Sequence, residues 1–166
     1  ASDPLRTPRL ALAIAIAGEL GLDPLPLFLA HSLGGGAEQA LAAEIDARTA
    51  LGHHALVLRV GGPTRWQLEL HGPSGILSAA GHDFSHIRRL LDPVPALRII
   101  YSCGVGDRDP VSLPGALLSL LRPGHPDRLE ARAHDYFMVS PSYCLLDADG
   151  RYRGPVLATR TDPAHR

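Results

Sequence analysis

The chain contains no lysine: all 16 basic residues among its 166 are arginine. It therefore offers no lysine amine for ubiquitin attachment, one disposal route in eukaryotic cells. A GC-rich genome accounts for the same bias, since its codons also favour alanine, the 17 glycines and the 15 prolines. Cysteine is scarce too. Cys103 and Cys144 are too few for a disulfide scaffold and read as free thiols. Long apolar runs are missing: Leu10 to Leu20 spans only about 11 residues, broken by Gly18 and Glu19, where a bilayer crossing needs about 20. That stretch also lacks the cationic start and small-residue cleavage site of a signal peptide. A formal charge of −1 removes the case for a nucleic-acid protein held by bulk electrostatics.

What is present fits one globular unit. An apolar fraction of 45% with 20% charge is that of a soluble protein, and a chain of this length buries about 70% of its unfolded surface. No disulfide, metal or cofactor is expected for such a fold to hold.

The first eight residues, with Pro4 and Pro8, read as a frayed lead or the scar of excision from a longer polypeptide. Leu10 to Leu20 reads as an alanine-rich helix stopped at Gly21. Leu27 to Ala30 reads as a turn or short strand, and Ala37 to Ala50 as a helix with a stripe of Ala40, Leu41, Ala43 and Ile45. Residues 1–50 thus form a helical lead that either stands apart from residues 51–166 or joins them. From residue 51 onward, β-rich runs alternate with helical segments. Strands are expected at Ala55 to Val60, Trp66 to Leu70, Ala96 to Tyr101, Ala131 to Val139 and Tyr143 to Leu146. Helices are expected from about Asp83 to Leu91 and from Leu113 to Leu121, with a loop over 72–82 and a turn at Asp147 to Gly150.

Chemistry in an open α/β sheet gathers in loops at strand carboxyl ends. His71 and Cys103 each follow a predicted strand, and each precedes a glycine that lets backbone N–H groups approach a reacting atom. An imidazole beside a thiol can take its proton and later protonate a leaving amine. The pattern is a cysteine-hydrolase layout; equally, His71 caps a strand and Cys103 is a small buried apolar group.

The run Trp66-Gln-Leu-Glu-Leu-His71-Gly72, the helix near 83–91, Leu97 to Cys103, the following helix, Leu129 to Val139 and Asp147 to Arg151 together resemble the caspase-like cysteine peptidases. The likeness covers about residues 55–153. Its nearest counterparts are the self-cleaving peptidase domains of large bacterial toxins of the MARTX and clostridial glucosylating type. The resemblance implies an α/β three-layer caspase-like sandwich with a mostly parallel central sheet. It assigns Cys103 as nucleophile, His71 as general acid/base, and Gly72 with Gly104 as oxyanion-stabilising backbone groups. It further implies a polypeptide substrate, including the parent chain itself, and secretion or delivery into a host cell within a larger bacterial protein. Inositol hexakisphosphate is the activator it suggests, with Arg132, Arg151 and Arg153 placed to bind it; solvated surface charge is the plainer reading of these arginines.

Two other readings stay open. His82 and His86 stand at i and i+4, a spacing that puts two imidazoles on one helix face and suits a zinc hydrolase, although Asp83 reads equally as a helix-start residue. The second is a catalytically inactive peptidase-like module with a structural or partner-binding role. Gly104-Val-Gly106 lacks the third glycine of a dinucleotide fingerprint, and Asp107 and Asp109 would repel a pyrophosphate. Asp147 to Gly150 lacks the remaining ligands of a calcium loop.

Overall fold

Leu25–His31 is apolar over six of its seven positions and every residue in it is buried. A strand can bury both faces only in the middle of a sheet covered by helices on either side, and that is where it lies. The computed structural model describes residues 6–21, 23–31, 33–132, 134–137, 144–146 and 149–152. In chain order the elements are α1 (Arg6–Leu20), β1 (Leu25–His31), α2 (Gly36–Ala50), β2 (Ala55–Val60), β3 (Trp66–Gly72) and β4 (Gly75–Gly81). They continue with α3 (Phe84–Leu91), β5 (Leu97–Tyr101), a short 3-10 turn (Pro110–Ser112), α4 (Leu113–Leu118) and β6 (Arg128–Ala131).

The six strands form one sheet in the order β4-β3-β2-β1-β5-β6. β1 pairs in parallel with both β2 and β5, and β6 runs parallel to β5. β3 alone runs against the others, pairing antiparallel with both β2 and β4. Side-chain alternation divides the core into two layers. One face, with Leu27, Leu29, Leu56, Leu58, Leu68 and Ile99, packs under α1, α3 and α4. The other, with Phe28, Ala30, Ala55, Val57 and Ile100, packs under Leu41 and Ile45 of α2 alone. The architecture is the expected α/β three-layer sandwich with a mostly parallel central sheet. Among the described residues, no helix is long and apolar enough to cross a membrane.

Ion pairs flank α2 on both sides. Arg59 of β2 binds Glu38 and, on β3, Glu69; Arg132 binds Glu44 and lies 5.5 Å over the Phe28 ring. Phe28 is the largest apolar side chain beneath this helix and is fully buried. Phe28→Ala is expected to cost about 3–5 kcal/mol, read from urea unfolding, because the cavity left under a single covering helix cannot collapse. Replacing Glu130, whose pair with Arg98 is about one-third exposed on each side, should leave the urea midpoint nearly unchanged in the same assay.

Several expectations are corrected here. Residues 1–50 are not a separate lead, since β1 is an interior strand and Leu10, Ile14 and Ala17 of α1 enter the core. In α2 only Leu41 and Ile45 are buried, while Ala40 and Ala43 face out. The loop expected over 72–82 contains β4, a strand whose Ile76 and Leu77 stand among glycine, serine and alanine, residues of low strand propensity. The strand expected at Ala131 to Val139 lies earlier, at Arg128–Ala131. Cys144 and Leu145 form a turn and not a strand, and Cys144 is half-buried. Residues 138–143, 147–148 and Arg153 lie outside the described residues.

Candidate functional site

The chain reverses its lateral direction at β1. The β1–α2–β2 crossover moves one way across the sheet, and the later strands β5 and β6 lie on the other side. A crevice opens at the carboxyl ends of strands where such a reversal occurs. β1 ends there in His31, and β5 runs directly into Ser102-Cys103-Gly104. The N–H groups of Ser102 and Cys103 both donate to the Leu29 carbonyl, at 3.1 and 3.3 Å, which continues the β1–β5 pairing beyond the last strand residue. Cys103, Ser102 and His31 then line one closed crease with Ala37 and Glu38 of the first turn of α2, too tight to admit a water molecule. Two roomier cavities, of about 200 and 320 Å³, meet around His54 at the amino ends of β1 and β2, and neither is lined by a cysteine.

The structure does not bring His71 to Cys103. β3 is antiparallel, and its register places His71 opposite Ala55, at the start of β2. Cys103 lies past the end of β5, about five residues further along the sheet axis and three strands across, a separation of about 20 Å at ordinary strand spacings. His71 therefore sits at a strand's carboxyl end, as expected, but at the opposite end of the sheet from the crevice, level with the start of β2. Its Nε2 lies 2.9 Å from Glu69 Oε2, and Glu69 also accepts from Arg59 Nε at 3.0 Å and Gln67 at 2.7 Å. Burial pushes the Glu69 carboxyl up, yet the His71 and Arg59 partners outweigh it and hold it below the usual range. Gly72 closes the β3–β4 hairpin opposite Gly75, also remote from the thiol.

Three residues that the strand-end argument missed stand around Cys103. His31 is buried, and its Nδ1 accepts from the Leu33 N–H at 3.0 Å. In a neutral ring this fixes the remaining proton on Nε2, so His31 is set to donate and not to accept there. His134, after β6, places Nδ1 3.2 Å from Ser102 Oγ. Asp135 is 5% exposed and collects three donors: Tyr101 Oη at 2.7 Å, Gly104 N–H at 2.7 Å and Phe137 N–H at 3.1 Å. Burial pushes the Cys103 thiol up to about 11, with Asp135 adding to the shift and the Val105 N–H opposing it. A signal for His31 was visible as the polar end of an apolar run; none in the sequence pointed to Asp135.

The surrounding loops are rigidly tied. Arg65 spans the crevice rim to Asp107 at 3.1 Å, the Asp109 carbonyl at 3.2 Å and Ser112 Oγ at 2.6 Å, while lying 4.7 Å over Trp66. Asp107 is buried in that contact. Gly61, with φ +81°, lets this loop pass so closely that a Cβ would meet the Gly106 carbonyl oxygen at 2.9 Å. At Gly104 a Cβ would meet Leu113 Cδ1 at 2.5 Å, so the residue after the nucleophile candidate has no room for a side chain.

The other candidates separate. Arg132 is engaged by Glu44, so it is not a free anion site; Arg151 is exposed, and Arg153 lies outside the described residues. His82 precedes α3, and Asp83 caps that helix by accepting from the Ser85 N–H at 2.8 Å. The two histidines therefore do not share one helix face. Among the described residues, no group of three or more His, Cys, Asp or Glu side chains gathers to hold a metal. Compared with known proteins, the chain matches no family model, no curated protein and no solved structure.

Proposed function

We propose that the chain is a cysteine hydrolase domain of peptidase type held at rest, with Cys103 as nucleophile and His31, not His71, as its imidazole partner. The observation that supports this reading is placement: a strand-end thiol and a buried imidazole line the same closed crease at the carboxyl ends of β1 and β5, where an α/β sheet reverses direction. The resting character follows from protonation. A thiol titrating near 11 is neutral at pH 7, and a ring with Nδ1 occupied and its proton on Nε2 cannot take the thiol proton at that atom. Turnover requires the ring to free a nitrogen, as by giving up its Leu33 contact, take the thiol proton there as sulfur attacks, and return that proton as imidazolium to the leaving amine. The substrate in this reading is a polypeptide, the parent chain included, and the setting is a bacterial toxin or effector.

A second reading is favoured by one observation: the Gly104 N–H, which would stabilise an oxyanion, already donates to Asp135. On that basis the domain is a peptidase-like binding module without turnover. Mass spectrometry of a peptide library incubated with wild type, Cys103→Ala, His31→Gln and His71→Gln separates the two. The expected result is slow cleavage by wild type and His71→Gln, none by Cys103→Ala, and at least about a hundredfold loss in His31→Gln. Cleavage that survives Cys103→Ala, or its complete absence in wild type, gives the binding-module reading instead.

A further inference from the structure

We propose that Asp135 is an internal inhibitor of this site: its carboxylate fills the position on the Gly104 amide, the residue after Cys103, that a substrate oxygen would take. The inference rests on the reading of Cys103 as nucleophile. A substrate acyl group attacked by Cys103 develops negative charge on its oxygen, and the backbone N–H next to the nucleophile is the natural donor to it. That donor is 2.7 Å from Asp135 Oδ2, the short end of the N–H···O range. Asp135 is thus a resident negative oxygen where the reaction would create one.

The bonding around Asp135 has the character of an oxyanion site more than of an ion pair. Its partners are a phenol and two backbone amides, all neutral, and among the described residues no arginine or histidine pairs with it. Elsewhere this chain settles its most buried carboxylates on arginine, as at Asp107 and Asp127. The charged and titratable groups facing Cys103 are His31 from β1, Glu38 from α2, Tyr101 from β5, and Asp135 itself, with His134 reaching Ser102 from beyond β6. Glu38 is neutralised by Arg59, which leaves Asp135 as the negative charge that opposes a thiolate.

The test uses alkylation, which reads the thiolate directly and does not depend on turnover. Second-order rates of iodoacetamide with Cys103 would be measured from pH 6 to 10 in wild type, Asp135→Asn and Tyr101→Phe, with peptide mapping to isolate this residue. Asp135→Asn keeps an acceptor oxygen for Tyr101 but removes the charge, and the rate at pH 7 should rise about tenfold or more. Tyr101→Phe removes one anchor of the carboxylate and keeps its charge, so the rate should not rise. An equal rise in both variants means that Asp135 merely braces the loop, and an unchanged rate in Asp135→Asn also overturns the proposal. Should Asp135→Asn fail to fold, an NMR titration of wild type decides. The Cys103 Cβ and Gly104 amide resonances should move together with one midpoint above pH 9, and a Gly104 amide indifferent to the thiol overturns the inference. Faster alkylation of Asp135→Asn with no peptide cleavage in any variant supports the inhibitor role while refuting the hydrolase reading.

Discussion

Native Cys103 is expected to alkylate at pH 7 about a hundredfold more slowly than a cysteine with the reference thiol value of 9.0, because its own value stands near 11. Burial is the leading cause. At 4% exposure the sulfur has lost most of the water that would solvate a thiolate, and the Asp135 charge adds to the penalty. The rate should climb about tenfold per pH unit and level only near pH 11, whereas the urea-unfolded chain should level about two units lower. This reverses the ordinary expectation that a strand-end cysteine beside a histidine is the fast-reacting thiol of its protein. A wild-type profile that levels below pH 8 would show a preformed thiolate–imidazolium pair and an active enzyme in place of a resting one.

The largest stability loss is expected from Asp127→Ala, about 3–5 kcal/mol by urea unfolding at pH 7. The Asp127 side chain is 1% exposed and binds four donors: Leu97 N–H at 2.9 Å, and Arg122 through Nη2 at 2.8 Å, Nε at 2.8 Å and its own N–H at 3.1 Å. Arg122 in turn donates to the carbonyls of Leu91, Asp92 and Val94, at 3.1, 3.1 and 2.7 Å. This knot fastens the end of α3 and the start of β5 to the loop before β6. Losing the carboxylate leaves a largely buried guanidinium and an orphaned backbone N–H, each costlier than the bond itself. Burial raises the Asp127 carboxyl, but the Arg122 and Leu97 hydrogen bonds lower it further, so its folded value lies below the ordinary one. A depressed carboxyl adds stability that is complete above the unfolded value near 4 and lost as the pH falls through the folded one. Wild type should therefore weaken toward pH 3 more steeply than Asp127→Ala. Equal slopes, or a loss under about 1 kcal/mol at pH 7, would refute the account.

How far the sequence reached depends on what each segment's pattern encodes. α3 was legible because Asp83 is a cap residue and Ile87, Leu90 and Leu91 repeat at helical spacing. β2 and β5 were legible as apolar runs between turns. β4 was not, since Ile76 and Leu77 are its only large apolar residues and glycine, serine and alanine fill the rest. The site turned on a different feature: the chain doubles back over Gly61 to Arg65, so β3 runs antiparallel to β2. His71 therefore falls at the opposite end of the sheet from Cys103. His31 was hidden for a related reason: nothing in Leu25 to His31 says that this run is an interior strand adjacent to β5, some seventy residues later, because lateral strand order is not written in local periodicity. Asp135 lies in a segment whose position is fixed by tertiary hydrogen bonds to Tyr101 and Gly104, with no local pattern to mark it.

The adjacency of β1 and β5 also sets the order in which the molecule can be made. β1 is among the first segments to leave a ribosome, yet one of its two neighbours lies at Leu97–Tyr101, and the thiol pocket needs residues from 31 and from 103. Pairings of such sequence separation carry a loop-closure cost that must be met before they return any stability, and they form late. A nascent chain released anywhere before Tyr101 would carry β1 with an open hydrogen-bonding edge, a template for association with other chains. The hairpin β3–β4, closed by a turn of a few residues, can form early and shield β2, but it lies on the wrong side to shield β1. Assembly of the thiol pocket and protection of the central strand's open edge are therefore a single late event in the life of this chain.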